Sequence, residues 1–435
     1  MDSLTFEYEW ENGEGITAPE LRFTLARLAI RVNDEFVTRV YDERARSVRD
    51  HVYVSLYPLA EWLATNWYPL LYETTGWARP NASRRHLLLN AGEGFVLPRL
   101  LIQPEGDCIE LDWDACSFPY SEFSFLSSGT AHVSREQVER EFIELIQATV
   151  SRLADCGLPY RTLLEDEWEA LNALDSEEKA FCRTVGALGL DPFSTSEEVD
   201  NDILSVAKRV PESLRTEFFA SVPFQALGDD LGWVQSALDL LAGCEGGTEL
   251  SEVRRSIRER TAGALDGPPW KLGYRYARSL RQELQVPHDP LDERQLGGLG
   301  WNTVLVADRE SAVLDGISSE KPDNEAGTFV VTGRREDSRR FCFARGLYEY
   351  LSSTAFPRLV TDASTYTQKA SRAFAAELLA PAEAIRQRIK GGTVSQREVE
   401  DMSTAFAVST QVIEHQVRNH ELACLPWDWA TRYGG

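Results

Sequence analysis

The residues that could do chemistry are thinly spread along the chain. The six histidines are His51, His86, His132, His288, His415 and His420, and no two stand in H-x-x-x-H register. That register would put two imidazoles on one face of a helix around a metal ion. His415 and His420 are five residues apart, about 140° around a helix, so they do not share a face. The seven cysteines, Cys108, Cys116, Cys156, Cys182, Cys244, Cys342 and Cys424, are odd in number and contain no C-x-x-C pair. They read as free thiols of a reducing compartment rather than as a disulfide frame or a zinc ribbon. Cys342 has a cation nearby in sequence: Arg345, three residues on, could lower its pKa. Its neighbours Phe341 and Phe343 point instead to a packed structural thiol. Arg345 and Glu349 stand at i and i+4, so the sequence predicts a helix ion pair between them. Arg334, Arg335, Arg339 and Arg340 place a basic cluster just before it.

These residues need elements to position them. In residues 1–130, Thr5–Trp10 alternates apolar and charged residues as a half-buried strand does. Two more strands are expected around an Asn33-Asp34 turn, and another over His51–Tyr57. Leu59–Leu71 reads as one helix, with Pro58 in its first turn. A hairpin follows, Leu97–Gln103 and Cys108–Trp113, around Pro104–Asp107. The expectation is a β-rich α+β domain. Residues 131–265 read as a helical middle region, opened by Ser134, whose spacing to Gln137 makes a capping box. Val138, Phe142, Ile143, Ile146 and Val150 then fall on one helix face. The breaker cluster Asp266-Gly-Pro-Pro269 marks a boundary before a third domain, 268–435. There a helix over Trp270–Leu284 precedes three short strands, around Leu299–Val306, Ala312–Ile317 and Gly327–Thr332, and then helices from Arg340 onward. The aromatic tail Pro426–Trp429 is expected to dock on the body. The fold class expected overall is α+β.

The order of motifs in the last domain resembles the ImmA/IrrE family of metallopeptidases, over about residues 268–425. Arg339, Arg340, Phe341 and Ala344 match the family's run-up to its zinc-binding helix. Phe374, Ala375, Leu378, Leu379 and Pro381 match its second signature, and Phe406, Val408 and Ser409 match its third. Asp315-Gly316 stands where the family commonly has an Asp-Gly turn. The resemblance implies a zincin-like domain, but its chemistry is missing. The two histidine positions carry Arg345 and Glu349, the general-base glutamate position carries Gly346, and the candidate acidic-ligand positions carry Gln368 and Ala370. A catalytic zinc takes three protein ligands and keeps one open position. These residues cannot supply that, so the expectation is a degenerate member with no catalytic residue, no metal and no cofactor. The Arg345–Glu349 pair would fill the former metal place.

Charge bears on partners. The 435-residue chain carries a formal net charge of −24. Val331–Gly435 holds 14 Lys and Arg against 12 Asp and Glu, a net of +2, which leaves −26 on the first 330 residues. Nucleic-acid binding by the chain on its own is disfavoured, because phosphate neutralisation supplies most of that affinity. The pair of helices over Ser395–Val408 and Ser409–Glu421 nonetheless resembles a helix-turn-helix, with Gln411, Gln416, Arg418 and Asn419 as its candidate nucleic-acid contacts. No apolar run reaches the ~18 residues of a membrane span. The first residues, Met1–Glu7, carry no basic or apolar signal segment, so a cytoplasmic location is expected. The leading expectation is a non-catalytic regulatory protein that binds a protein partner, in a stress-response, toxin–antitoxin or phage-defence setting implied by the resemblance. The alternatives are a metallopeptidase with a relocated site and a DNA-binding regulator.

Overall fold

The computed structural model describes residues 2–74, 85–119, 122–261, 267–321, 325–333 and 335–426. Arg334 and the aromatic tail from 427 lie outside the described residues. The architecture mixes α and β, with helices and several small sheets. The chain divides into two compact units, Met1–Ser205 and Val206–Gly435. The expected boundary near 265 falls at 262–266, outside the described residues, and the helical segment 131–265 contributes to two cores. Leu164, Leu171 and Cys182 join the first core, while Leu250 and Ile257 join the second. Of the breaker cluster, Asp266 lies outside the described residues and Gly267–Pro269 leads into a helix. Proline is tolerated in a first turn, where its missing N–H would have no partner anyway.

In the first unit, β1 (Leu4–Trp10) pairs antiparallel with β2 (Leu25–Val32), in register Leu4 to Val32. Asn33 takes φ 53° at the turn that follows β2. The expected single helix over 59–71 is two, α1 (Leu56–Thr65) and α2 (Trp67–Tyr72). Pro69 is the cause: in a continuous helix its ring would strike the Thr65 carbonyl four residues back. A three-stranded antiparallel sheet follows, made of β3 (Arg99–Glu105), β4 (Cys108–Asp114) and β5 (Gly129–Ser134), with β4 central. Ser134 then caps α3 (Arg135–Asp155), its Oγ accepting the Gln137 N–H, and Val138, Phe142 and Ile146 bury one face.

In the second unit, α4 (Glu212–Ser221) and later helices surround a four-stranded sheet. Next come α5 (Pro269–Glu283), β6 (Leu305–Val306), β7 (Leu314–Glu320) and β8 (Gly327–Val331). They lead to α6 (Glu336–Ser352), β9 (Arg358–Thr361) and α7 (Tyr366–Leu379). The unit closes with α8 (Gln396–Phe406) and α9 (Thr410–Asn419). The sheet order is β6-β8-β7-β9, with β6 parallel to β8 and the other pairings antiparallel. Helix α6 is buried on every side from Cys342 to Leu351, as its nearly continuous apolar sequence requires. Gly273 lets α5 touch α7, since a Cβ there would sit 2.2 Å from the Ala370 carbonyl oxygen. Among the described residues no helix is long and apolar enough to cross a membrane.

Candidate functional site

The site is built around the middle of α6. Arg345 is 3% exposed, and its guanidinium is committed on all sides. Nη1 donates to Asp315 Oδ2 at 2.6 Å, Nε to Ser371 Oγ at 3.2 Å, and Nη2 to Gln368 Oε1 at 2.8 Å and to the Thr361 carbonyl. Those acceptors come from β7, α7 and β9. Asp315 lies in β7, within the stretch Ala312–Ile317 expected as a strand, beside a register shift between Leu314 and Gly316. Gln368 is equally occupied. Its Oε1 also accepts the Thr361 N–H at 3.0 Å, and its Nε2 donates to the Leu359 carbonyl at 2.8 Å. Arg345 and Gln368 are therefore brought together by this bond. Ala370 is fully buried in the core.

The expected Arg345–Glu349 ion pair does not form. A helical i,i+4 pair is worth a few tenths of a kcal/mol. The charge-assisted bond to Asp315, together with three further acceptors, outweighs it. Glu349 is fully buried and lies 3.5 Å from Arg358 Nε, outside normal hydrogen-bond reach. Neither carboxylate oxygen of Glu349 has a hydrogen-bond partner among the described residues. Burial pushes its pKa up to about 7; the nearby Glu217 adds to the rise, and Arg358 and Arg345 oppose it. Glu217 itself accepts from Thr365 Oγ1 at 3.0 Å.

Gly346 faces the sheet. A Cβ there would meet Phe329 at 3.4 Å, Ser318 at 3.9 Å and Val360 at 4.0 Å, all ordinary contacts. Gly346→Ala is expected to stabilise the protein by about 0.5–1 kcal/mol by removing a flexible residue from a helix interior. A thermal melt of the variant measures this, and a lower melting temperature would contradict the placement.

Beside Arg345 opens a cleft of about 670 Å³. Asp315, Arg345, Asp362 and Arg372 give it a charged floor. Trp270, Tyr274 and Phe341 give it aromatic walls, and Gln411, His415 and Asn419 of α9 line another side. Arg372 donates to the carbonyls of Ala363, at 2.8 Å, and Thr361, at 3.2 Å. Burial brings its pKa down to about 10, helped by the like charge of Arg345. Burial raises the Asp362 carboxyl. Cys342 is packed, with its Sγ–H donating to the Asp315 carbonyl at 2.9 Å. Burial and the Asp315 carboxylate drive its pKa upward, the reverse of an activated thiol.

Of the four candidate nucleic-acid contacts, Gln411, Gln416 and Asn419 line this cleft and Arg418 does not. Gln416 is 1% exposed and donates to Glu377 Oε2 at 3.0 Å and the Ala380 carbonyl at 2.9 Å, so it cannot reach a duplex. Gln411 and Asn419 border the cleft, and Arg418 lies 3.3 Å from Glu414. Sequence reasoning missed β9 and the acceptors Asp315, Ser371 and Thr361. The run Arg358-Leu-Val-Thr361, rich in β-formers, was the available signal for the strand.

The residues at the five positions singled out do not fit a zinc ion. Arg345 offers a guanidinium, Gln368 has both ends of its amide bonded, and Ala370 and Gly346 offer no donor. Glu349 is the one remaining donor. No protein-family model matches the chain, and no curated protein matches it either.

Proposed function

We propose that the second unit is a degenerate, zincin-like domain of the ImmA/IrrE type. On this reading the protein is a non-catalytic regulatory subunit whose cleft holds a segment of a protein partner. The observation that carries the reading is the lock on Arg345. A cation held by Asp315, Gln368, Ser371 and Thr361 occupies the place where a peptidase of this type would need a metal, while an open cleft persists beside it. A groove with aromatic walls and both signs of charge on its floor suits an extended peptide with mixed side chains. The acidic first 330 residues favour a basic partner. A cytoplasmic protein of a stress-response, toxin–antitoxin or phage-defence system fits the same reading.

The test uses the cleft itself. Ala376 lines it and makes none of the Arg345 hydrogen bonds, so Ala376→Trp would fill it from α7. Partner protein recovered with the wild-type chain from its native cells is expected to fall at least about tenfold with the variant, at an unchanged circular dichroism spectrum. Equal recovery with both chains would sink the cleft-binding reading. Peptide hydrolysis that depends on added zinc and is blocked by a mutation in this cleft would sink the non-catalytic one.

A further inference from the structure

The first unit carries a set of side chains that the reading above does not use. We infer that Glu105, Glu110 and His132 form a binding site for one divalent metal ion of the zinc class.

The site follows from strand register. Glu110 of β4 is the direct cross-strand partner of His132 of β5. Directly opposed residues project from the same face of a sheet. Glu105 of β3 pairs with Cys108, which lies two residues from Glu110, so the two-residue alternation puts Glu105 on that face too. The donor atoms converge accordingly. His132 Nε2 lies 3.7 Å from Glu105 Oε2 and 3.7 Å from Glu110 Oε1, and the three donor atoms all fall within 4.8 Å of one another. At 3.7 Å neither carboxylate is hydrogen-bonded to that imidazole nitrogen. Ligand atoms around a tetrahedral ion with bonds of 2.0–2.1 Å stand about 3.3 Å apart. The two His132 separations stand within about half an ångström of that spacing, and turning the two carboxylates toward each other would close the set on an ion.

Burial and charge point the same way. The side chains of His132, Glu105 and Glu110 are 4%, 3% and 15% exposed. Two carboxylates held close together on a covered face favour a dication between them. One imidazole and two carboxylates is a donor set suited to zinc and its first-row neighbours, with a fourth position for water. The frame around the set is rigid. Asp2 Oδ2 accepts the His132 N–H at 2.9 Å, and the Asp2 N–H donates back to the His132 carbonyl at 3.3 Å. The thiol of Cys108, on the same face, is engaged with the Val133 carbonyl at 3.3 Å. An ion here ties the β3–β4 hairpin to β5.

This site is independent of the Arg345 reading, and it bears on how metal content is interpreted. Zinc found in the whole protein would be assigned to the first unit, and its removal would leave the cleft of the second unit as it is.

The test titrates the purified full-length chain, stripped by chelator and dialysed, with Co²⁺ as a visible-absorption probe and with Zn²⁺ by calorimetry. The expected result is one equivalent bound per chain, d–d absorption from Co²⁺ that Zn²⁺ displaces, and a melting temperature raised by Zn²⁺. Glu110→Gln and His132→Gln are each expected to weaken Zn²⁺ binding at least about tenfold. Should His132→Gln fail to fold, Glu110→Gln, at the most exposed of the three ligands, carries the same comparison. A wild-type chain that binds no stoichiometric metal at micromolar concentration overturns the proposal regardless of the variants. So does binding that Glu110→Gln leaves undiminished.

Discussion

Replacing Arg345 by alanine is expected to destabilise the protein by about 3–5 kcal/mol, the range for breaking a buried ion pair by removing one partner. The guanidinium binds four groups contributed by two strands and one helix, and a methyl group replaces none of those bonds. Some loss is recovered, because the Asp315 side chain is 36% exposed and can rehydrate, and Gln368 keeps the Thr361 N–H. Arg345→Lys is expected to fall between wild type and alanine. An ammonium is a point charge that can reach Asp315 but cannot span the fork of acceptors. Urea denaturation of the three proteins measures the series. A loss under about 1 kcal/mol for the alanine variant would mean a solvated guanidinium, and the account of a filled metal place would fail with it.

Glu349→Gln is expected to act in the opposite direction. In the folded protein this carboxyl has a pKa of about 7, whereas in the unfolded chain it returns to the ordinary glutamate value of about 4.3. The folded state therefore holds the proton more tightly. The group does not penalise folding below about pH 4. Stability is lost as pH rises through the interval from about 4 to 7, and the loss is complete above it. The full shift corresponds to a loss on the order of 3 kcal/mol. Glutamine keeps the shape and cannot ionise. The variant should lack this fall and be more stable than wild type at pH 8 by about 1–3 kcal/mol, with little difference at pH 4. Denaturation midpoints across that range check it. Parallel pH profiles for the two proteins would show that Glu349 ionises at its ordinary pKa, contrary to its complete burial.

Arg345 and Glu349 together show what local sequence rules reach and where they stop. Elements governed by neighbours were legible. The alternation in Thr5–Trp10 and the Ser134 cap with its apolar helix face both appear in the structure. The single helix drawn through Asn66 was not right, because the proline rule had to be applied four residues upstream of Pro69. The division at Ser205 was invisible because it falls inside the helix Glu197–Arg209, where no glycine or proline marks a break. The i,i+4 pairing rule failed at Arg345 because its acceptors lie at Asp315, Thr361 and Gln368, and nothing near Arg345 in the chain names them. Glu105, Glu110 and His132 were equally hidden: two of them are opposed only through the register of β4 and β5, which no spacing along the chain encodes.

Thr361 holds a consequence for how the second unit opens. Its carbonyl accepts from Arg345 of α6 and Arg372 of α7, and its N–H donates to Gln368 of α7. One residue at the end of an edge strand is thus pinned by two helices through both of its flanking peptide groups. Peeling β9 away, or lifting either helix, strands a buried cation in the same movement. Fraying of that edge is coupled to the loss of the whole interior arrangement, and the strand, α6 and α7 behave as one cooperative block in which slow amide exchange at Thr361 reports the opening of all three.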